Sequence, residues 1–259
     1  MRNSSYQSIS IGIIGLGGVA QAHLQAFEGL DNLNIVSVCD VRADVADAVA
    51  QRVGATAFTD YRTLLSAGGI DMAMVLTPAS THREIVEAIA EQSIHVFCEK
   101  PIAVTLEDGE AMVAACKQAK VKLFYGSCYR YLPAIIKAKQ LIQSGAIGEV
   151  QLMTEQLIGG HGKENYVELP PIHYPIGGPG GPGMGLVDHG VHLLDIFSWL
   201  NDSEIVSAQG KGHISGQAPS SEFMVMQLAN GAMGHLIYNA ATYSTGLPNE
   251  GMFSGGQAW

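Results

Sequence analysis

The 259 residues carry 14 Lys and Arg against 24 Asp and Glu, a formal net charge of −10 at pH 7, with 47% hydrophobic and 15% charged residues. Such a chain buries a sizeable core, exceeds the usual length of one domain, and is too apolar for disorder. Its acidic field repels a phosphate backbone, which argues against a nucleic-acid partner.

The start, MRNSSYQSIS, lacks a basic-then-apolar signal region. No apolar stretch approaches the roughly 20 residues that cross a bilayer, so a cytoplasmic protein without a membrane partner is expected. From Ile9 to about Gly126, short β-branched or apolar runs alternate with helical patterns, as in a parallel sheet with crossover helices. The spacing predicts strands over Ile9–Ile14, Asn34–Cys39, Met72–Leu76, His95–Cys98 and Lys122–Tyr125. Helices are predicted near Val19–Gly29, Ala43–Val53, Thr81–Gln92 and Leu106–Lys120.

Beyond Gly126 the rhythm changes. A helix is predicted over Pro133–Ser144, a strand over Glu149–Leu157, a Gly- and Pro-dense loop through Gly185, and a helix from about Val187 to Leu200. Two runs, Glu222–Ala229 and Ala232–Ala241, flank Asn230-Gly231, the dipeptide that best supports a tight type I′ hairpin. Residues 1–126 therefore read as an α/β domain with a parallel, doubly wound sheet, and 127–259 as an α+β domain with a mainly antiparallel sheet. The four cysteines, Cys39, Cys98, Cys116 and Cys128, form no CxxC pair and read as buried reduced thiols.

The run Gly15-Leu16-Gly17-Gly18-Val19-Ala20 is a GxGxxA turn between a predicted strand and a predicted helix. Gly15 permits the tight turn, Gly17 lets the backbone approach a pyrophosphate, and small Ala20 allows close helix-to-strand packing. Asp40, twenty residues after Ala20 at the end of the second strand, is placed to bond the ribose hydroxyls of a dinucleotide. A carboxylate there favours NAD over NADP, a preference that Arg42, beyond Val41, would soften. The plainer reading of Asp40 is a cap on the following helix.

Two more segments stand at strand carboxyl ends, where open α/β sheets hold ligands: Thr77-Pro78 with His82, and Cys98-Glu99-Lys100-Pro101. Their plainer readings are a loop start with a surface histidine, and a solvated charge pair.

Taken together these residues resemble the glucose-fructose oxidoreductase, inositol dehydrogenase and MocA family. The likeness rests on the GLGGVA turn, Asp40, Thr77-Pro78 with His82, Glu99-Lys100-Pro101, Tyr129-Arg130 with Pro133, and the run from Gly185 to Asp195 that contains Asp188 and His192. It implies a Rossmann domain followed by a substrate domain, and an NAD(P)-dependent oxidoreductase acting on a CH–OH group of a sugar, polyol or related compound. It implies cofactor contacts from Gly15, Gly17, Gly18, Val19, Ala20, Asp40, Val41, Arg42, Thr77, Pro78, His82, Glu99, Lys100 and Pro101. Lys100, Asp188 and His192 take the catalytic places by that resemblance, with Arg130 and Tyr131 added as substrate-binding candidates.

Asp188 and His192 are four apart and share a helix face, with Asp195 three further on a similar bearing. A histidine there takes a hydroxyl proton while the cofactor takes hydride, and Lys100 stabilises the developing alkoxide. The plainer alternative makes Asp188 an N-cap, His192 a core histidine and Asp195 an ion-pair partner. His189 with His192 lacks a third ligand, so no metal is expected.

The Gly177–Gly183 loop reads equally as a cover or a connector, and His161, Lys163, Tyr166 and His173 as unranked donors. The resemblance also implies homo-oligomerisation, as a dimer or tetramer, and further strands after Trp259, so the chain reads either as a truncated one or as a protein with a reduced substrate domain and an exposed sheet edge or face. Two other functions fit the same pattern: a glycoside hydrolase that retains its NAD, and a non-catalytic dinucleotide or sugar sensor.

Overall fold

The apolar runs of the first half become six parallel strands in the computed structural model, which describes residues 8–158, 186, 190–215 and 218–239. The chain divides into two compact units, Met1–Gly126 and Ser127–Trp259.

In the first unit, β1 (Ile9–Ile14), β2 (Leu33–Cys39), β3 (Thr56–Phe58), β4 (Met72–Val75), β5 (His95–Cys98) and β6 (Leu123–Tyr125) lie in the order β3-β2-β1-β4-β5-β6. All five pairings are parallel. The order reverses between β1 and β4, which opens a crevice at the carboxyl ends of the strands. Five helices cross over: α1 (Gly18–Phe27), α2 (Ala43–Val53), α3 (Tyr61–Ala67), α4 (His82–Glu91) and α5 (Leu106–Gln118).

Strands buried on both faces read as continuous apolar runs, and Ile11, Ile13, Val38, Val75 and Val96 are fully buried. On one face Leu24, Val49 and Ala50 of α1 and α2 complete a core cluster, on the other Leu64, Ile85, Ile89 and Met112 of α3, α4 and α5. Helix starts follow their caps. Asp60 accepts from Thr63 N–H before α3, and Thr105 from Asp108 N–H before α5. Strand β3 and helix α3 had no counterpart in the sequence pattern, because three residues show no alternation and seven show no helical period.

The second unit contains α6 (Pro133–Gln143), β7 (Leu152–Ile158), α7 (Val191–Asn201), β8 (Ile205–Ser215), β9 (Ala218–Leu228) and β10 (Met233–Asn239). The sheet order is β7-β10-β9-β8, antiparallel at both β9 contacts and parallel between β7 and β10. Leu193, Ile196, Phe197 and Leu200 of α7 pack on Met226, Leu228 and Leu236 of the sheet. Gly234 lets them approach, since a Cβ there would lie 2.7 Å from the Phe197 ring. The α7 carboxyl end is finished by a buried ammonium. Lys139 Nζ donates to Trp199 O at 2.5 Å and pairs with Asp202 at 2.6 Å, satisfying carbonyls a helix end leaves without partners.

Three expectations change. Strand β8 was not anticipated, because its Gly- and Lys-bearing run IVSAQGKGHIS suits an exposed sheet edge rather than a core strand. The hairpin at Asn230-Gly231 is not type I′. Only Gly231 has positive φ, at +91°, Gly231 N–H donates to Leu228 O at 3.0 Å and Leu228 N–H to Ala232 O at 2.8 Å. That is a three-residue loop with glycine at the left-handed bulge position. Cys128 is exposed, whereas Cys39, Cys98 and Cys116 are buried.

The helix predicted from Val187 is described from Val191. Asp188, His189, His161, Lys163, Tyr166, His173 and the Gly177–Gly183 loop lie outside the described residues. Among the described residues no helix is long and apolar enough to cross a membrane.

Candidate functional site

The turn between β1 and α1 is built around Gly15. Its φ of +91° suits glycine, its N–H donates to Cys39 O at 2.8 Å, and a Cβ would stand 2.8 Å from the Leu76 carbonyl. Gly17 and Gly18 differ, because a Cβ on either would meet nothing within 4 Å. Gly17 is the N-cap of α1 with no side-chain cap, and the first turn holds no acidic residue. The start of α1 is therefore open around Gly17 and Gly18 and carries no side-chain cap, with the positive end of the helix dipole at that point. Ala20 is fully buried in the core, and Val19 is exposed.

Asp40 ties this turn to the end of β2. Its Oδ2 accepts from Leu16 N–H at 3.0 Å, and its Oδ1 from Arg42 N–H at 3.0 Å and Arg42 Nε at 3.2 Å. Partial burial alone would push the carboxyl up; the Arg42 amide and guanidinium and the Leu16 amide outweigh it and hold the group below its ordinary value. The N-cap of α2 is Arg42, without a side-chain cap, so Asp40 is a bridge between two loops rather than a helix cap. Val41 between them is 87% exposed.

At the neighbouring strand ends, the Thr81 hydroxyl lies 2.8 Å from both Thr77 Oγ1 and the Pro78 carbonyl, fixing the 3-10 turn that follows β4. His82 is not the surface residue of the plainer reading. It is 0% exposed, with Nε2 on Thr77 O at 2.8 Å and Nδ1 within 3.1 Å of Ile102 O and 3.2 Å of Cys98 Sγ. A ring so enclosed is shut off from solvent and braces the loops after β4 and β5. Burial pushes its pKa down against the carbonyls of Thr77 and Ile102, so the ring is neutral.

Glu99 is buried and not a solvated partner of Lys100. Its Oε1 lies 3.0 Å from His23 Nε2 and its Oε2 accepts Lys100 N–H at 2.7 Å. His23 comes from α1 and packs edge-on to Phe97 at 5.5 Å. Lys100, half-buried, precedes Pro101 through a cis peptide bond. Because β1, β4 and β5 are adjacent and parallel, the first unit brings Gly15–Gly18, Asp40, Thr77-Pro78 and Glu99-Lys100 to one end of its sheet.

In the second unit, His192 lies in the first turn of α7 and is buried. The Tyr129 ring stacks on it at 4.0 Å with an interplanar angle of 11°. Ser127 Oγ lies 3.5 Å from His192 Nδ1 and donates to Asp195 Oδ2 at 3.1 Å. Arg130 grips the same carboxylate with Nε at 2.6 Å and Nη2 at 2.5 Å, which raises its pKa further. The guanidinium that the sequence offered to substrate pairs with Asp195 through Nε and Nη2, two of its three nitrogens, within its own unit. Tyr131 is exposed. Glu222, buried on the helix-covered face of the sheet, accepts Leu186 N–H at 2.7 Å.

Two family models match. Residues 9–127 match the oxidoreductase family with an NAD-binding Rossmann fold, and residues 135–250 match the GFO/IDH/MocA C-terminal domain. The chain is a Gfo/Idh/MocA protein.

Among Gfo/Idh/MocA relatives, "D-apiose dehydrogenase" of Paraburkholderia graminis is 36% identical over 137 residues, 52% of this chain and 36% of the relative. "Myo-inositol 2-dehydrogenase" of Thermotoga maritima is 32% identical over 144 residues, 55% of this chain and 43% of the relative. The match spans less than half the length of these two relatives. In fold, the chain is similar to the WlbA dehydrogenase of Bordetella pertussis, crystallised with NADH and UDP-GlcNAcA, with a TM-score of 0.80 at 24% identity over 92% of this chain and 68% of that one.

Sequence reasoning missed His23 and Ser127, each of which holds a predicted site residue. His23 carried one signal, an ionisable side chain in the first turns after the glycine-rich turn. Ser127 carried only its place beside Tyr129-Arg130, because its partners are 65 and 68 residues away.

Proposed function

We propose that this Gfo/Idh/MocA chain belongs to an NAD(P)-dependent oxidoreductase that moves hydride between a nicotinamide and a hydroxyl-bearing carbon of a sugar, polyol or related compound. One observation carries the reading: Asp40, ionised and only slightly exposed, is bonded at once to the glycine turn through Leu16 and to Arg42. A carboxylate has about four acceptor positions, and three are used here, so capacity remains for a ribose hydroxyl. The uncapped α1 start above Gly17 and Gly18 fits a pyrophosphate, and exposed Val41 fits the flank of an adenine. When bound, the dinucleotide supplies the hydride acceptor or donor.

Asp40 favours NAD, since a 2′-phosphate would meet its charge; Arg42, already paired to Asp40, is the group that would admit NADP. Lys100, held through its own amide by Glu99, stabilises charge on the substrate oxygen. His192 takes the hydroxyl proton and Asp188 orients it or binds a neighbouring hydroxyl. Thr77 and Pro78 form the wall of the cofactor site, with His82 behind it. The named activities of the D-apiose and myo-inositol relatives support a polyhydroxylated substrate.

The test is net NADH formation against aldoses, inositols and sugar acids, alongside NAD binding by fluorescence. Lys100→Met keeps the stem and removes the charge; turnover falls at least a hundredfold with NAD affinity retained, on the usual scale for one electrostatic stabiliser. Unchanged turnover would remove Lys100 from the reaction.

Homo-oligomerisation belongs to the same reading, supported by Phe223, Val225, Met233 and Leu152, which are exposed on the sheet face opposite α7. A monomer mass by light scattering would end it.

A further inference from the structure

Resting on the reading of Lys100 as the group that stabilises charge on the substrate oxygen, we infer that His23 is a positioning residue for it. Acting through Glu99, His23 ties the main chain of Lys100 to helix α1, whose start fits the pyrophosphate. The cofactor seat and the reacting amine are then anchored on one rigid element.

Past the end of β5 the main chain changes partners. Glu99 N–H still donates to Val75 O at 3.0 Å, and Gly126 N–H to Cys98 O at 2.8 Å, so the parallel sheet holds the chain up to Glu99. One residue further, Lys100 N–H donates not to a strand carbonyl but to a side chain, Glu99 Oε2, at 2.7 Å. The point from which the lysine stem departs therefore depends on where the Glu99 carboxyl is turned.

A carboxyl held at one oxygen turns readily, because its terminal torsion is broad. Held at both, it does not. Glu99 Oε1 lies 3.0 Å from His23 Nε2, and whichever atom carries the shared proton, one hydrogen bond joins ring and carboxyl. That bond is made at a side chain only 7% exposed, where water replaces it poorly. Gly126 closes the opposite side, since a Cβ there would lie 3.2 Å from Glu99 Cδ. His23 is itself fixed, edge-on to the Phe97 ring at 5.5 Å and 78°, and Phe97 stands two residues before Glu99 on the face of β5 that meets α1. Ring, carboxyl and amide thus form a short chain of contacts that runs from the middle of α1 to the first atom of Lys100.

Hydrogen exchange separates placement of Lys100 from stability of the fold. The full chain labelled with ¹⁵N-lysine reports each lysine amide by NMR, and Lys100→Met assigns the one concerned by loss of its signal. In the wild type that amide exchanges slowly. His23→Leu keeps an apolar contact with Phe97 but offers no hydrogen bond, and Lys100 exchange speeds up about tenfold, the scale of one hydrogen bond. The Lys122 amide, which donates to His95 Nδ1 at the start of β5, keeps its wild-type rate. His23→Gln puts an amide nitrogen where Nε2 stands and restores the Lys100 rate. With a substrate that reduces NAD, His23→Leu lowers kcat between about tenfold and about a hundredfold, the cost of a misplacement of up to about 1 Å. KM for NAD stays within about twofold, and His23→Gln recovers most of the loss.

A Lys100 amide that exchanges freely in the wild type overturns the proposal, whether or not any variant folds. So does His23→Leu with Lys100 exchange unchanged, or with Lys100 and Lys122 faster together, which is general loosening. An unchanged kcat beside faster Lys100 exchange also overturns it. Exchange as expected, with no NADH from any sugar in the wild type, leaves the His23 contact standing and removes only the proposed activity.

Discussion

In the first unit the candidate site groups stand at the ends of parallel strands and are fixed largely by main-chain partners: Leu16 N–H on Asp40, Lys100 N–H on Glu99, the Thr77 carbonyl on His82. In the second unit the corresponding groups hold one another through side chains, Arg130 on Asp195, Ser127 between Asp195 and His192, Tyr129 over His192. The difference follows from architecture. A parallel sheet delivers every strand end to one edge, so a ligand is met by turns and amides; a helix on a mixed sheet presents side chains, whose partners arrive from distant sequence. A site written in backbone tolerates little change at a few glycines and much elsewhere, whereas one written in side chains spreads its sensitivity over many residues.

The glycine turn puts that contrast to its hardest trial. Gly15→Ala forces a side chain into φ +91° and against the Leu76 carbonyl at 2.8 Å. The expected loss is about 3 kcal/mol or more, combining backbone strain with a clash that main-chain atoms cannot evade. Gly17→Ala adds a methyl that meets nothing and stays at ordinary φ, so stability stays within about 0.5 kcal/mol. Its effect falls on NAD, whose affinity drops because the methyl occupies the space left for the pyrophosphate. Urea unfolding and NAD titration of both variants decide it. Equal stability loss in the two would erase the distinction between a glycine that makes the turn and one that makes room.

The same contrast explains what could be read from the chain before its fold was known. Strands β1 and β5 and helix α2 have the bounds that apolar runs and Gly54 dictate, because in a parallel sheet each residue's burial is decided locally. The glycine turn and the carboxylate at β2 were legible for that reason: their spacing is a property of one crossover.

Burial of polar groups was not legible. The plainer readings of His82 and Glu99, a surface histidine and a solvated charge, fail because nothing in local sequence shows that Ile102 and His23 close over them. The pairing of Arg130 with Asp195 was not legible either, because the two lie 65 residues apart. The Asn230-Gly231 pair announced a hairpin but not its turn type, which the Asn230 side chain decides by taking Ala232 N–H at 3.1 Å.

Two carboxylates carry the comparison to its smallest effects, with opposite signs. Asp40 is surrounded by donors that hold its pKa down, so it stabilises the fold at pH values above its unfolded value of about 3.9, and that contribution is lost as pH falls through its lowered folded value. Glu155, on β7 in the second unit, is pushed up to about 7 by burial, with no donor offsetting it among the described residues.

A raised acid works the other way. The folded chain binds the proton more tightly than the unfolded chain, whose value is about 4.3, so stability is fullest below that pH, declines as pH rises toward 7, and stays reduced above. Glu155→Gln therefore gains about 1 kcal/mol at pH 8, after allowance for screening at a partly exposed group, and nothing near pH 4. Asp40→Asn loses stability at pH 8 and recovers toward wild type only in strong acid. Urea unfolding at the two ends of the range reads both. A gain for Glu155→Gln that is the same at pH 4 and pH 8 would mean that packing, not charge, sets its cost, and the second unit would then hold its carboxylates no differently from the first.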